Sequence, residues 1–194
     1  MKKTIFLLLT SCLLASCAKE DVLDRTIFIP DESDPNLPAY TEWGYNSFGA
    51  KYERSYFLAS NSIIPCKILY KDGKLQFSLI GNIDYEKITL SFIFPFPSIS
   101  DYSGLIQLND KEINLVDADC TVKISQNDGN DKILNVLNGK LHFKRTQLLN
   151  IDDIPNRVIL SGTFELRFMQ DDFPESISDG RFDLGINNNT FYAF

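Results

Sequence analysis

The chain has 194 residues, 19 Lys and Arg against 26 Asp and Glu, a formal charge of −7 and a pI near 4.7. An acidic chain without a Lys/Arg cluster lacks the electrostatic footprint of a nucleic-acid binder. With 44% hydrophobic residues, including fifteen Phe, it has ample material for a core and is excluded from the disordered class.

The first predicted element is a secretory signal over residues 1–16. Lys2 and Lys3 form a basic head, residues 5–14 a mostly apolar run, and Leu14-Ala15-Ser16 a small-residue approach to Cys17. The run is about half the ~20 residues that a spanning helix needs. Cleavage is expected between Ser16 and Cys17. This anatomy resembles a bacterial lipoprotein signal, in which the cysteine is lipidated and becomes the mature N-terminus. The resemblance implies a diacylglyceryl group with an amide-linked acyl chain such as palmitate, and a membrane partner held through lipid. Two chains anchor stably where one does not. Lys19, Glu20 and Asp21 resemble the export tag of Bacteroidetes-type lipoproteins bound for the outer face of the outer membrane; the periplasmic face is the alternative. The mature chain would carry 17 basic and 26 acidic residues, a charge of −9.

Residues 17–38 are expected to form the lipidated N-terminus and a flexible acidic tether, rich in proline, with Ile27-Phe28-Ile29 as a short strand or docking point. Residues 39–194 are expected to form one domain whose apolar period is two. Leu75, Phe77 and Leu79 alternate with Gln76 and Ser78, after an Asp72-Gly73 hairpin signal. Ile88, Leu90, Phe92, Phe94 and Phe96 alternate up to Pro95 and Pro97, which confine that end to an edge or to a strand terminus. Residues 106–115 suggest a further hairpin, and residues 120–124 a strand. Leu141 and Phe143 face away from His142 and Lys144; Phe164, Leu166 and Phe168 from Thr163, Glu165 and Arg167; Phe182, Leu184 and Ile186 from Asp183. One-face-apolar strands joined by Gly/Asn/Asp turns predict an all-β, antiparallel two-sheet sandwich, with an open barrel as the alternative.

Two stretches also carry a resemblance. Glu42-Trp43-Gly44-Tyr45-Asn46-Ser47-Phe48-Gly49 stands near the start of the body. Gly162-Thr163-Phe164-Glu165 and Asp179-Gly180-Arg181-Phe182-Asp183 stand near its end. The chain is similar here to small lipoproteins of an uncharacterised Bacteroidetes family, over residues 42–186. It departs where that family has an Asn-Gly turn and this chain has Glu53-Arg54. The resemblance implies location and fold; it brings no activity.

Chemistry is sparse. His142 is the only histidine, no Cys-x-x-Cys occurs, and neither a Gly-x-Ser-x-Gly nor a phosphate loop is present. No cofactor or metal is expected. Cys66 and Cys120 are either a disulfide or two free thiols. Carboxylates are abundant, at Asp117, Asp119, Asp152, Asp153, Asp171, Asp172, Glu175, Asp179 and Asp183. Two of them ~5–9.5 Å apart across a cleft would make a glycosidase pair, so a carboxylate-dependent hydrolase is an alternative. Arg181 is expected to pair with a carboxylate across a hairpin. The candidate ligand-binding residues are the aromatics Trp43, Tyr45, Tyr52, Tyr56 and Tyr102, whose faces stack on sugars. The expected function is therefore a non-enzymatic, surface-exposed lipoprotein acting as a binding or envelope-associated module, with a glycan or a protein as the ligand. A structural adhesin subunit exchanging Ile27-Phe28-Ile29 between protomers is the other alternative.

Overall fold

The computed structural model describes residues 25–60, 64–126 and 130–194, the side chain of Asn130 excepted. Ser16, Cys17, Lys19, Glu20 and Asp21 lie outside the described residues, and so does the signal segment. The chain is nearly all β. Its strands are β1 (Ser47–Tyr52), β2 (Ser55–Ala59), β3 (Cys66–Lys71), β4 (Lys74–Ile83), β5 (Glu86–Pro95), β6 (Lys111–Asn114), β7 (Thr121–Gln126), β8 (Asn130–Ile133), β9 (Asn135–Ile151), β10 (Ile154–Gln170), β11 (Phe173–Ile186) and β12 (Phe191–Ala193).

These strands form one sheet in the order β6-β9-β10-β11-β1-β2-β4-β5-β7-β8, and β3 joins β4 beyond the short β2. Every pairing is antiparallel except β12 on β3. The sheet curls until its two halves face each other, so the expected all-β fold takes the open-barrel form, with both layers belonging to one sheet. Aromatic side chains lock the halves together. The Phe77 ring of β4 lies 5.4 Å from Phe143 of β9 and 5.1 Å from Phe182 of β11, and Phe92 of β5 lies 5.7 Å from Phe164 of β10. Each such side chain is at most 2% exposed, a burial that contributes roughly 1.5–3 kcal/mol per residue. The two ends of the sheet meet at Leu134, the single residue between β8 and β9, whose N–H donates to Val122 O.

Gly162 shows why the Gly-Thr-Phe-Glu stretch needs its glycine. A Cβ there would stand 2.1 Å from His142 O and 2.6 Å from the Phe182 ring, so only a bare backbone lets the ring lie against it.

The expected hairpin over residues 106–115 does not form. Asp101 caps a 3₁₀ helix, Tyr102–Leu108, by accepting from Ser103 N, and only β6 remains as strand. Leu105 and Leu108 are fully buried and plug one mouth of the curled sheet. Among the described residues no helix is long and apolar enough to cross a membrane.

Candidate functional site

Alternation predicts that outward positions of β1, β10 and β11 should be wet. Instead Ser47, Ser161 and Asp183 are 3%, 0% and 1% exposed, and Ile159 is 7% exposed. The cover is residues 27–45, most of it the presumed tether and the rest the first residues of the body. They fold back on themselves, with Ala39 N donating to Ile29 O, Asp31 N to Leu37 O and Ile27 N to Tyr45 O. A Pro30–Pro38 bridge completes the loop. The tether expected through Pro38 is thus docked on the sheet from Ile27 onward. Ile27-Phe28-Ile29 pairs within its own chain, as the docking alternative expects.

Three fastenings hold this segment, and all involve the Asp179-Gly180-Arg181-Phe182-Asp183 stretch. Asp183 takes hydrogen bonds from Thr41 Oγ1 (2.6 Å), Trp43 N (3.0 Å), Gly44 N (2.7 Å), Tyr45 N (3.3 Å) and Ser161 Oγ (3.1 Å). Successive backbone N–H groups thus cradle a buried carboxylate, a nest for an anion built by the chain for itself. Arg181 donates from Nη1 to Asp31 at 2.7 Å. Its partner therefore comes from the N-terminal segment; the expected cross-hairpin pairing fails because Asp179-Gly180 is not a hairpin turn. It is a bulge inside β11, with Asp179 at φ +53°. Lys51 bridges Asp34 (3.1 Å) and Asp179 (3.0 Å). Gly49 completes the seat, since a Cβ there would fall 2.3 Å from Pro38 Cδ.

The electrostatics follow the hydrogen bonds. The Ser33 hydroxyl and amide, with the Asp34 amide and Arg181, hold Asp31 down at about 2. Burial would raise Asp34, but the Lys51 ammonium and the Asn36 amide outweigh it and lower it.

A groove runs beside this segment on the outer face of β9, β10 and β11. Tyr40, Lys144, Lys140, Thr163, Glu165 and Arg181 line a first section of about 370 Å³. Past Lys140 and Glu165 it continues as a depression of about 520 Å³ flanked by Asn114, Asn138, Arg167 and Ser178. Lys144 Nζ sits 5.0 Å over the Tyr40 ring. The Tyr40 hydroxyl donates to Glu42 at 3.0 Å, and burial together with that carboxylate raises it well above the usual phenol range. Glu42 in turn accepts from Arg145 at 3.0 Å. Lys140 and Glu165 form a loose pair at 3.8 Å. The groove offers ammonium, guanidinium, amide, hydroxyl and carboxylate groups along one open path, a set that hydrogen-bonds polar ligands.

The five predicted aromatics do not assemble into one surface. Trp43 is 73% exposed. Tyr45 is half-buried and its carbonyl accepts from Ile27. Tyr52 donates to Glu175 at 2.5 Å and packs on Phe168, at the opposite end of the sheet from Trp43. Tyr56 bonds Asp34 and Asn36, and Tyr102 is buried and donates to Pro155 O. The Tyr56 and Tyr102 hydroxyls fasten loops to the body, and Tyr52 ties β1 to β11. Burial pushes the Cys66 thiol up to about 12, and Cys66 and Cys120 are both free. Cys66 pairs across β4 and β5 with Ile124 of β7, three strands or ~14 Å away, and Cys120 lies farther along still. A disulfide needs Cα atoms within ~7 Å, so of the two alternatives the structure has the free thiols.

The paired carboxylates are also accounted for. Asp152-Asp153 and Asp171-Asp172 have φ of +50°/+63° and +47°/+69° and are two-residue turns at opposite ends of β10. His142 Nε2 lies 3.2 Å from Asp110 on the rim of the sheet. No group of His, Cys, Asp and Glu among the described residues is arranged to hold a metal.

Sequence reasoning missed Tyr40 and the docking of residues 30–45, having offered a docking point only at Ile27-Phe28-Ile29. The available signal was the pairing of outward Arg181 and Lys51 with a carboxylate-rich N-terminal stretch. The chain matches no family model, no curated protein and no solved structure.

Proposed function

We propose that this chain is a lipid-anchored lipoprotein of the outer membrane, displayed on the cell surface, that binds a glycan without transforming it. The signal anatomy ending at Cys17 supports the anchor, and Lys19-Glu20-Asp21 supports display. The observation that carries binding is the continuous groove on the outer face. Its lining of Lys140, Thr163, Glu165, Asn138 and Arg167 combines donors and acceptors of the kind that sugar hydroxyls take up. Of the carboxylates that suggested hydrolysis, Asp152, Asp153, Asp171 and Asp172 stand in turns, and Asp179 and Asp183 fasten the N-terminal segment.

Display is tested by adding a protease to intact and to lysed cells; digestion only in the lysate overturns it. Binding is tested by screening the purified full chain against a glycan array. A Lys140→Ala/Thr163→Ala variant, altered at two groove residues outside the core, is expected to lose tenfold or more in affinity, about 1.4 kcal/mol. Glycan binding that is unchanged in this variant would place the ligand elsewhere.

A further inference from the structure

The end of the sheet where the chain enters carries a cluster of exposed apolar side chains. Ile27 meets Tyr45 there, and the loop holding Trp43 hangs from Asp183 just before β1 begins. The β9–β10 hairpin turns at the same end, because β10 starts where β11 finishes, Val158 opposite Ile186. The two features touch through Gln147, whose amide donates to Glu42 O at 3.1 Å, and through Ile159, whose Cγ1 lies 3.2 Å from where a Cβ on Gly44 would be. Leu149 is the next β9 residue beyond Gln147 on that face, and Ile151 and Ile154 flank the turn. Trp43 is 73% exposed, Ile154 68%, Ile151 49%, Ile27 47% and Leu149 43%. Single exposed apolar residues are ordinary, but a contiguous set marks a contact surface.

What this surface meets follows from the chain that leads to it. Only nine residues separate Cys17 from Ile27, so the entry end can stand no more than ~35 Å from the anchor. We propose that this end rests on the lipid bilayer, with Trp43 and the β9–β10 hairpin at headgroup level. The proposal rests on the reading that Cys17 is lipidated. The anchor supplies the attachment and the apolar rim supplies orientation, so an acidic body needs no basic patch. Trp and apolar side chains favour the membrane–water boundary, and Asp152-Asp153 at the hairpin turn limit the contact to shallow depth. In this orientation the groove over β9–β11 lies on the flank of the body, open to the medium.

Trp43 is the only tryptophan, so its emission needs no assignment. The full chain, produced with its signal in cells that process lipoproteins, is reconstituted into phosphatidylethanolamine/phosphatidylglycerol vesicles whose acyl chains are brominated near the headgroup. Emission is expected to fall at least about twofold relative to unbrominated vesicles, as for an indole at the interface. A Leu149→Asp/Ile154→Asp variant, changed only at exposed positions, is expected to float with the vesicles and lose most of that quenching. Protein that floats with its Trp43 unquenched overturns the orientation while leaving the anchor intact. Protein that neither floats nor carries acyl mass on its Cys17 peptide overturns the anchor, and the orientation with it. Trp43 that is protected from bromine but buried in a concentration-dependent dimer overturns the proposal in favour of a second copy of the chain.

Discussion

Replacing Asp183 by Asn probes the fastening on which the N-terminal segment depends, because the two side chains share a shape and differ in acceptors. Oδ2 of Asp183 accepts from Thr41 Oγ1, Trp43 N and Tyr45 N, and Oδ1 from Gly44 N and Ser161 Oγ. Asparagine retains one acceptor oxygen. Its less damaging orientation puts the amide NH₂ at the Oδ1 position, where the Ser161 hydroxyl can turn to accept. Gly44 N–H, at 2.7 Å, then faces a donor. A buried donor left unmet costs ~1–3 kcal/mol. The three surviving bonds lose charge assistance, which roughly halves such bonds and adds ~2 kcal/mol more. The expected loss is therefore ~3–5 kcal/mol, a large share of the ~5–15 kcal/mol that holds a domain together. Urea unfolding followed by tyrosine and tryptophan fluorescence measures it, and hydrogen exchange locates it. The amides of Trp43, Gly44 and Tyr45 should exchange far faster in the variant, while those of β4 and β5 keep their protection. Stability within ~1 kcal/mol of the parent, with residues 43–45 still protected, would refute the nest as the fastening.

Two further outcomes follow from the same structure. Tyr85 occupies the second position of the β4–β5 turn at φ +74° with its ring fully exposed, so Tyr85→Gly removes backbone strain and loses no contact. It should stabilise the fold by ~0.5–1 kcal/mol in urea unfolding, and an unchanged or lower midpoint would show that the ring has a role. The docking of residues 27–45 should also depend on acid. Asp31 and Asp34 are depressed in the folded state, so the unfolded segment binds more protons below its ordinary carboxylate value of about 4. Their contribution is fully present above that value and is lost as pH falls from about 4 toward 2. Pepsin cuts near Phe28 and Leu37 should therefore accelerate across that interval, relative to an unstructured peptide of the same sequence. A constant ratio would dissociate the carboxylates from docking.

The strands were legible because a half-buried sheet writes its period into the chain. Every alternation picked out in β4, β5, β9, β10 and the second half of β11 is realised with the expected face inward. Asp72-Gly73 is a turn with φ of +52° and +75°, and Pro95 ends β5. That two layers are one sheet was not legible, since β1, β2 and β4 connect them through short pairings that any meander could make. The 3₁₀ helix was hidden because Ile106 and Leu108 alternate as a strand would, while Asp101 and Ser103 supply a cap that strands do not use. Glu53-Arg54 departs from an Asn-Gly turn, and Glu53 adopts φ +51°. Its carboxylate offsets the strain by accepting from the amide and hydroxyl of Ser176. The groove was legible in part. Outward Lys144, Thr163, Glu165 and Arg167 were assigned to the solvent face from period alone. Tyr40 was not, because nothing local shows that its stretch folds back.

Parity explains why the docking depends on a feature that looks like a turn. In β11 Ile177 faces the core at an odd position, whereas Phe182, Leu184 and Ile186 face it at even ones. A regular strand cannot do both, because one face takes every second residue. The extra residue is inserted at Ser178-Asp179. From Phe164 to Leu166 β10 advances two residues while β11 advances three, from Gly180 to Ile177, and β1 shows the same step from Gly49 to Lys51 against Arg181 to Ser178. Without that bulge, keeping Ile177 inside would turn Arg181 and Asp183 into the core and expel three large apolar side chains. With it, the guanidinium and the carboxylate emerge two residues apart on the outer face, where Asp31 and the Trp43-Gly44-Tyr45 amides reach them. The Asp-Gly-Arg-Phe-Asp stretch thus works as a unit. Asp179 takes the left-handed backbone, Gly180 fits beneath Phe164 where a Cβ would stand 2.3 Å from its carbonyl, and Phe182 fills the core between two residues that face outward to hold the N-terminal segment.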